Sequence, residues 1–121
     1  MQLILIELNE INFEYAKKYF DILKIDTIKK VSKELINTES ENSDELLEPW
    51  IQWHSIHTGC SAKDHGVFRL GDAINSKKTQ LFEELEANNL KVGSISAMNS
   101  INNLKKPSYF IPDPWTKTKS D

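Results

Sequence analysis

Apolar and polar positions along this chain follow two different periods in turn. Residues 3–6 (LILI) form a continuous apolar run, which is typical of a parallel strand that is covered on both faces. Residues 91–97 (KVGSISA) show a second strand-like pattern after a long stretch with helical spacing. Because strands that alternate with helical segments are typical of α/β proteins, the pattern predicts this fold class with a parallel sheet.

Helical segments fill the sequence between the two predicted strands. The first begins after Asn12, a suitable N-cap, and repeats apolar residues at steps of three and four. A second, short helix is expected over residues 28–35. The third covers residues 49–58, with proline at its first position and Gly59 as a left-handed C-cap. The fourth runs from about residue 77 to residue 88.

The C-terminal tail has neither period. Residues 99–121 contain three of the four prolines and four lysines. We therefore expect residues 1–98 to form an N-terminal α/β portion and residues 99–121 to be an irregular, incomplete continuation of the same domain. Two or three parallel strands do not complete a sheet, so the chain is predicted to be the first part of a larger fold.

Composition narrows the classes of partner. Fifteen basic and eighteen acidic residues give a net charge of −3, without the positive stripe that a nucleic-acid binder needs. The apolar run at the N-terminus is too short for a membrane span, and the single cysteine cannot form an internal disulfide. We therefore expect no nucleic-acid or membrane partner and a cytoplasmic location.

Residues that can carry chemistry are concentrated between residues 48 and 66. This segment holds all three histidines and the only cysteine: His54, His57, Cys60 and His65. Imidazole and thiolate are metal ligands, but the spacing H-x2-H-x2-C-x4-H matches no standard zinc pattern. Two tryptophans share a helical face with His54 and His57, which favours burial in a core over a metal site or a stacking platform.

The order of the motifs resembles the start of the alkaline phosphatase superfamily. The nearest branches are the type I phosphodiesterase/nucleotide pyrophosphatase group and the sulfatase-like proteins. The matching pieces are LIELN (5–9), PWIQWHSIHTG (49–59), DHGVF (64–68) and KVGSIS (91–96). The resemblance implies a partial three-layer α/β/α fold with a mostly parallel sheet, truncated after its first elements.

The same resemblance implies a two-metal hydrolase. Zinc- or manganese-type divalent ions would activate phosphate- or sulfate-ester small molecules, and a Thr or Ser at a helix N-terminus would attack them. Asn9 aligns with the family's first metal-binding Asp, and Glu10 aligns with the following Gly and could donate a carboxylate. Pro49 occupies the position of the nucleophile, so no catalytic residue is assigned.

Two functional hypotheses follow. The chain is a fragment or degenerate member of this metal-dependent phosphodiesterase, phosphatase and sulfatase-like family, inactive by itself. Alternatively, it is a non-catalytic α/β binding or assembly domain that kept the scaffold and lost the site. Since a partial sheet leaves an unpaired edge, we also expect self-association through that edge.

Overall fold

The computed structural model describes residues 3–26, 30, 36 and 43–121. It divides the chain into two compact units, Met1–Ser40 and Glu41–Asp121. The predicted tail, 99–121, belongs to the second unit together with the residues that precede it.

The first unit contains helix α1, Phe13–Ile22, which begins where the sequence predicts it. Asn12 Oδ1 accepts hydrogen bonds from Glu14 N at 3.0 Å and Tyr15 N at 3.1 Å, so the predicted N-cap is confirmed.

The prediction of a strand over residues 3–6 is wrong, because these residues are irregular and exposed. A strand needs a hydrogen-bonded neighbour, and none lies in the described part of this unit. The predicted helix 28–35 falls outside the described residues except for Lys30.

Over residues 43–121, the second unit contains three helices, two 3₁₀ turns and two strands. In chain order these are the turn Asp44–Leu46, α2 (Pro49–Thr58), α3 (Ala62–His65), the turn Asp72–Asn75, α4 (Leu81–Ala87), β1 (Gly93–Ile95) and β2 (Tyr109–Ile111). Helix α2 has the bounds that the sequence predicts, with a proline in the first turn and Gly59 in the left-handed region at φ 63°.

Helix α4 is shorter than predicted and begins at Leu81 instead of near residue 77. Gln80 is its N-cap and forms a capping box with Glu83. The Gln80 side chain is buried and pairs with the backbone of Ile101, donating to its carbonyl at 2.9 Å and accepting from its N–H at 3.1 Å. This long-range contact holds Gln80 in an extended conformation, and the helix starts after it.

The sheet of the second unit places β1 parallel to β2, with Ser94 opposite Phe110. The other edge of β2 is covered, because Phe110 and Asp121 exchange backbone hydrogen bonds of 2.7 and 3.0 Å. The mixed α/β class is therefore correct, and β1 confirms the strand predicted within residues 91–97. The described residues contain only this two-stranded sheet, so the larger three-layer fold stays a prediction.

The two faces of the sheet differ. Phe110 is fully buried, and its ring lies 6.4 Å from that of Phe82 on α4, where the apolar core also includes Val92. Phe110, which lies within the predicted tail, is thus part of the core. On the opposite face, Tyr109 is exposed and its ring fills the space beside Gly93, where a Cβ atom would overlap it.

Candidate functional site

The predicted metal ligands lie in the first unit. Asn9 and Glu10 are adjacent, exposed residues in a bend, and Glu10 has a φ of 54°. Among the residues that the structure describes, no three His, Cys, Asp or Glu side chains are grouped so that they could hold a metal ion. Two neighbouring side chains do not supply the ligand set that a catalytic metal needs. The described residues therefore do not fit a two-metal centre, and the assignment of Asn9 and Glu10 stays a prediction.

The Ser and Thr hydroxyl groups of α2 donate hydrogen bonds to backbone carbonyls of the same helix. Ser55 Oγ donates to Ile51 O at 3.1 Å, and Thr58 Oγ1 donates to His54 O at 2.7 Å. Pro49, in the position of the family's nucleophile, has no group that can attack an ester. Hydrogen bonds of this kind, to the carbonyl four residues earlier, are a common structural role of Ser and Thr in helices.

Ser55 and His65 form a pair that looks like a catalytic dyad but has the wrong proton arrangement. Ser55 Oγ lies 2.9 Å from His65 Nε2. The N–H of Val67 donates to His65 Nδ1 at 3.0 Å, so Nδ1 carries no proton and the neutral ring carries its proton on Nε2. A general base must accept the hydroxyl proton at Nε2, which is already occupied. The pair therefore bridges α2 and the end of α3.

His54 and His57 are buried, as the shared helical face predicts. The Nδ1–H of His54 donates to Asn99 O at 3.0 Å, since a carbonyl can only accept. Within the described residues, His54 Nε2 is buried and has no hydrogen-bond partner. The rings of His54 and His65 meet edge to face, with centroids 4.9 Å apart. His57 lies between Trp53 and Phe82, with ring centroids 6.0 and 5.2 Å away.

Burial keeps the His54–His65 pair neutral. It is the main cause that lowers the pKa of His65 to about 4, and the adjacent His54 ring acts in the same direction. Burial also lowers the pKa of His54, against the opposing effect of the Asn99 carbonyl. Neutral imidazoles of this kind serve as hydrogen-bonding parts of a core at pH 7.

Asn99 is the centre of the polar interior, and the sequence reasoning missed it. Its side-chain Oδ1 accepts from Gly71 N at 2.9 Å and Ala73 N at 3.4 Å. Its Nδ2 donates to Trp50 O at 3.0 Å and Arg69 O at 3.2 Å. Asn99 is fully buried and has a φ of 52°. The available signal was an asparagine shortly after a strand, since Asn tolerates this left-handed region better than most residues.

Asp113 holds the Asn99 backbone in place. Its Oδ2 accepts from Asn99 N at 2.8 Å and Thr116 Oγ1 at 2.7 Å. Its Oδ1 accepts from Trp115 N at 2.8 Å and Thr116 N at 2.9 Å. The carboxylate is buried, and these four bonds satisfy it, so its arrangement is structural. The Asp-Pro-Trp-Thr sequence is a turn signal that could have indicated this role.

A groove of about 460 Å³ lies at the C-terminal end of α2, and Cys60, Lys78 and Glu84 are among the residues that line it. The Cys60 thiol is half-buried and donates to Thr58 O at 3.4 Å. Ile56 and Leu81 also line the groove, so it is a surface cleft with a mixed polar and apolar lining.

No protein-family model, curated protein or solved structure matches this chain. In the part that the structure describes, no helix is both long and apolar enough to cross a membrane. The resemblance to the alkaline phosphatase superfamily therefore rests on the sequence motifs alone.

Proposed function

We propose that this chain is a degenerate member of the phosphate- and sulfate-ester hydrolase superfamily it resembles, and that it does not hydrolyse esters by itself. The observation that carries the proposal is the set of hydrogen bonds formed by the side chains of residues 49–66. Its hydroxyls bond to backbone carbonyls, and the imidazoles of His54 and His65 bond to Asn99, Ser55 and Val67. The hydroxyl and imidazole groups of this motif are therefore engaged in holding the fold together.

The resemblance supports the proposal through its departures from the family pattern. The proline at position 49 replaces the nucleophile, and the amide of Asn9 replaces a charged metal ligand. A neutral ligand binds a divalent ion more weakly than a carboxylate does. A chain with both changes keeps the scaffold without the two groups that would start the reaction.

Hydrolysis of bis(4-nitrophenyl) phosphate tests this proposal directly. With Zn²⁺ or Mn²⁺ added, we expect the full chain to release nitrophenolate no faster than a buffer blank, and elemental analysis to find less than stoichiometric metal. Turnover with stoichiometric metal that is lost in Asn9→Ala or Glu10→Ala would contradict the proposal. Asn75→Ala is the matched control, because Asn75 is equally exposed but lies outside the metal-binding motif.

A binding or assembly role is the second candidate, and the outer face of the sheet favours it. Ile95 is 64% exposed and stands opposite Ile111, which is 50% exposed, so an apolar strip faces outward. No further strand lies beside β1 within the described residues. Such edges and faces are typical sites of association.

Sedimentation velocity over a range of concentrations tests the assembly role. We expect the full chain to self-associate reversibly and Ile95→Lys to weaken the association at least tenfold, because a charge beside the edge opposes pairing. Ile56→Lys is the matched control, since Ile56 is 60% exposed on α2 and away from the sheet. A wild-type chain that stays monomeric, or equal effects of the two variants, would argue against this role.

A further inference from the structure

We propose that His54 and His65 form an acid-sensitive clasp, which holds α3 and the turn after it against α2 only while both imidazoles are neutral. The clasp consists of these two rings and their partners Ser55, Val67 and Asn99. It goes beyond the proposed function, since it requires neither hydrolysis nor assembly.

His65 is the part of the clasp that joins the elements. Its Nε2–H reaches Ser55 on α2, and its Nδ1 accepts the N–H of Val67 in the turn after α3. Protonation converts Nδ1 from an acceptor into a donor, and two N–H groups then face each other across 3.0 Å. That hydrogen bond must break. Val67 is almost completely buried, so its N–H finds a new partner only if the turn moves toward water.

His54 opposes protonation in a second way. Its Nδ1–H already donates to Asn99 O, and its buried Nε2 has no acceptor beside it among the described residues. A proton added at Nε2 would be a buried, unsatisfied donor that carries charge. With the ring centroids 4.9 Å apart, a charge on one ring also opposes a charge on the other.

The charged groups around the clasp do not offset these effects. His57 on α2 and Lys78, before α4, disfavour a positive charge on His54 and His65 respectively. Asp64 on α3 favours a charged His65, but it is exposed, and its carboxylate accepts the Ser61 hydroxyl at 2.6 Å. Solvent screening weakens its attraction, so burial remains the dominant effect.

Asp113 approaches the clasp from the loop before Thr116. It contacts the backbone N–H of Asn99, the residue whose carbonyl holds His54. Its carboxylate is saturated by four hydrogen bonds and therefore has no acceptor position left for a histidine proton. It is, however, a second titratable group in contact with Asn99, and the test must separate its effect from that of the histidines.

The direction of the pH effect follows from the lowered pKa of His65. An unfolded histidine has a pKa near 6.5, and the folded one titrates near 4, so the open form binds more protons within this window. The closed clasp is therefore fully stable above about pH 6.5 and loses stability as the pH falls toward 4. At pH 5, protonation of His65 alone favours opening roughly 30-fold.

Trp50 provides a natural reporter for this opening. Its indole N–H donates to Phe68 O at 3.2 Å, which spans the same junction between α2 and the turn after α3. Release of the turn breaks this bond and exposes the half-buried indole. Tryptophan fluorescence and the exchange of the Val67 amide should therefore change together.

The experiment follows the full chain from pH 7 to pH 4 by hydrogen exchange and fluorescence. We expect the protection of the Val67 amide, corrected for intrinsic exchange, to fall roughly 20- to 30-fold between pH 7 and pH 5. In His65→Asn, whose Oδ1 can accept the same N–H but does not titrate in this range, the contribution of His65 is removed, so the loss should be clearly smaller and should arise from His54 alone. Ile56→Ala is the matched control on α2, because Ile56 is 60% exposed and is not part of the clasp, and it should keep the wild-type transition.

Two results would overturn the proposal. One is a pH-independent protection of Val67 in the wild-type chain; the other is an unchanged transition in His65→Asn, which would assign the opening to a group other than His65. If His65→Asn does not fold, ¹⁵N spectra of the wild-type imidazoles decide. The clasp requires a proton on Nε2 of His65 and on Nδ1 of His54 at pH 7, and a His65 that stays neutral through the transition contradicts it.

Discussion

Asn99→Ala is expected to lower the free energy of unfolding by about 4 kcal/mol. The substitution removes the partner of Gly71 N and Ala73 N, and it takes one hydrogen bond from Trp50 O and one from Arg69 O, which still accepts from Asp72 N. Each buried polar group left unsatisfied costs about 1–3 kcal/mol, although part of this is recovered where water can enter. Alanine also disfavours the φ of 52° by about 1 kcal/mol.

Urea unfolding of three variants separates the two causes. Asn99→Gly removes the same side-chain hydrogen bonds but tolerates the left-handed backbone, so we expect it to be about 1 kcal/mol more stable than Asn99→Ala. Asn103→Ala is the matched control, because Asn103 is exposed and should change stability by no more than about 0.5 kcal/mol. A cost for Asn99→Ala as small as that of Asn103→Ala would show that the polar network is absent in solution.

Phe110→Ala is the second substitution with a large expected effect, about 3–5 kcal/mol. Phe110 is fully buried, and its ring contacts Phe82 across the core. Removal of a buried aromatic ring loses its transfer free energy and leaves a cavity that the surroundings fill only in part. Because small domains are marginally stable, this loss is comparable with the whole stability of the second unit.

The neighbouring residue provides a control that also tests the strand register. Tyr109 precedes Phe110 in β2 but lies on the opposite, exposed face, so Tyr109→Ala should cost less than about 1 kcal/mol. A shift of the strand by one residue would exchange the two faces and therefore invert the two costs. Urea unfolding in the presence of a stabilising osmolyte keeps the weaker variant measurable. Equal costs for both variants would contradict the pairing of Ser94 with Phe110.

The proposed roles of the second unit are connected through these interior residues. The carbonyl of Asn99 accepts the His54 proton, so the network around Asp113 positions one half of the acid-sensitive clasp. Substitution of Asn99 should therefore also weaken the packing of α3 against α2. The clasp and the hydrolase hypothesis remain separable, because hydrogen exchange at Val67 does not depend on ester turnover.

The sequence alone was sufficient to predict the elements whose boundaries are set by a few neighbouring residues. Asn12 starts α1 through hydrogen bonds to the next two and three residues, and Pro49 and Gly59 bound α2 by backbone geometry. The burial of His54 and His57 also followed from helical spacing, since residues three apart share a face.

Long-range contacts decided the structural features that the sequence alone did not predict. An apolar run at residues 3–6 predicts a strand only if a neighbour supplies hydrogen bonds, and sequence periodicity carries no information about that neighbour. Gln80 ends as an N-cap because it pairs with Ile101, twenty-one positions later. Asn99 reads as part of an irregular tail because its side-chain partners are backbone groups 26 to 49 positions away. Asp113 has local partners in its own turn, but its bond to Asn99 N spans fourteen positions. These groups come together only in the folded chain, so the tertiary structure alone decides the polar interior and the neutral state of its histidines.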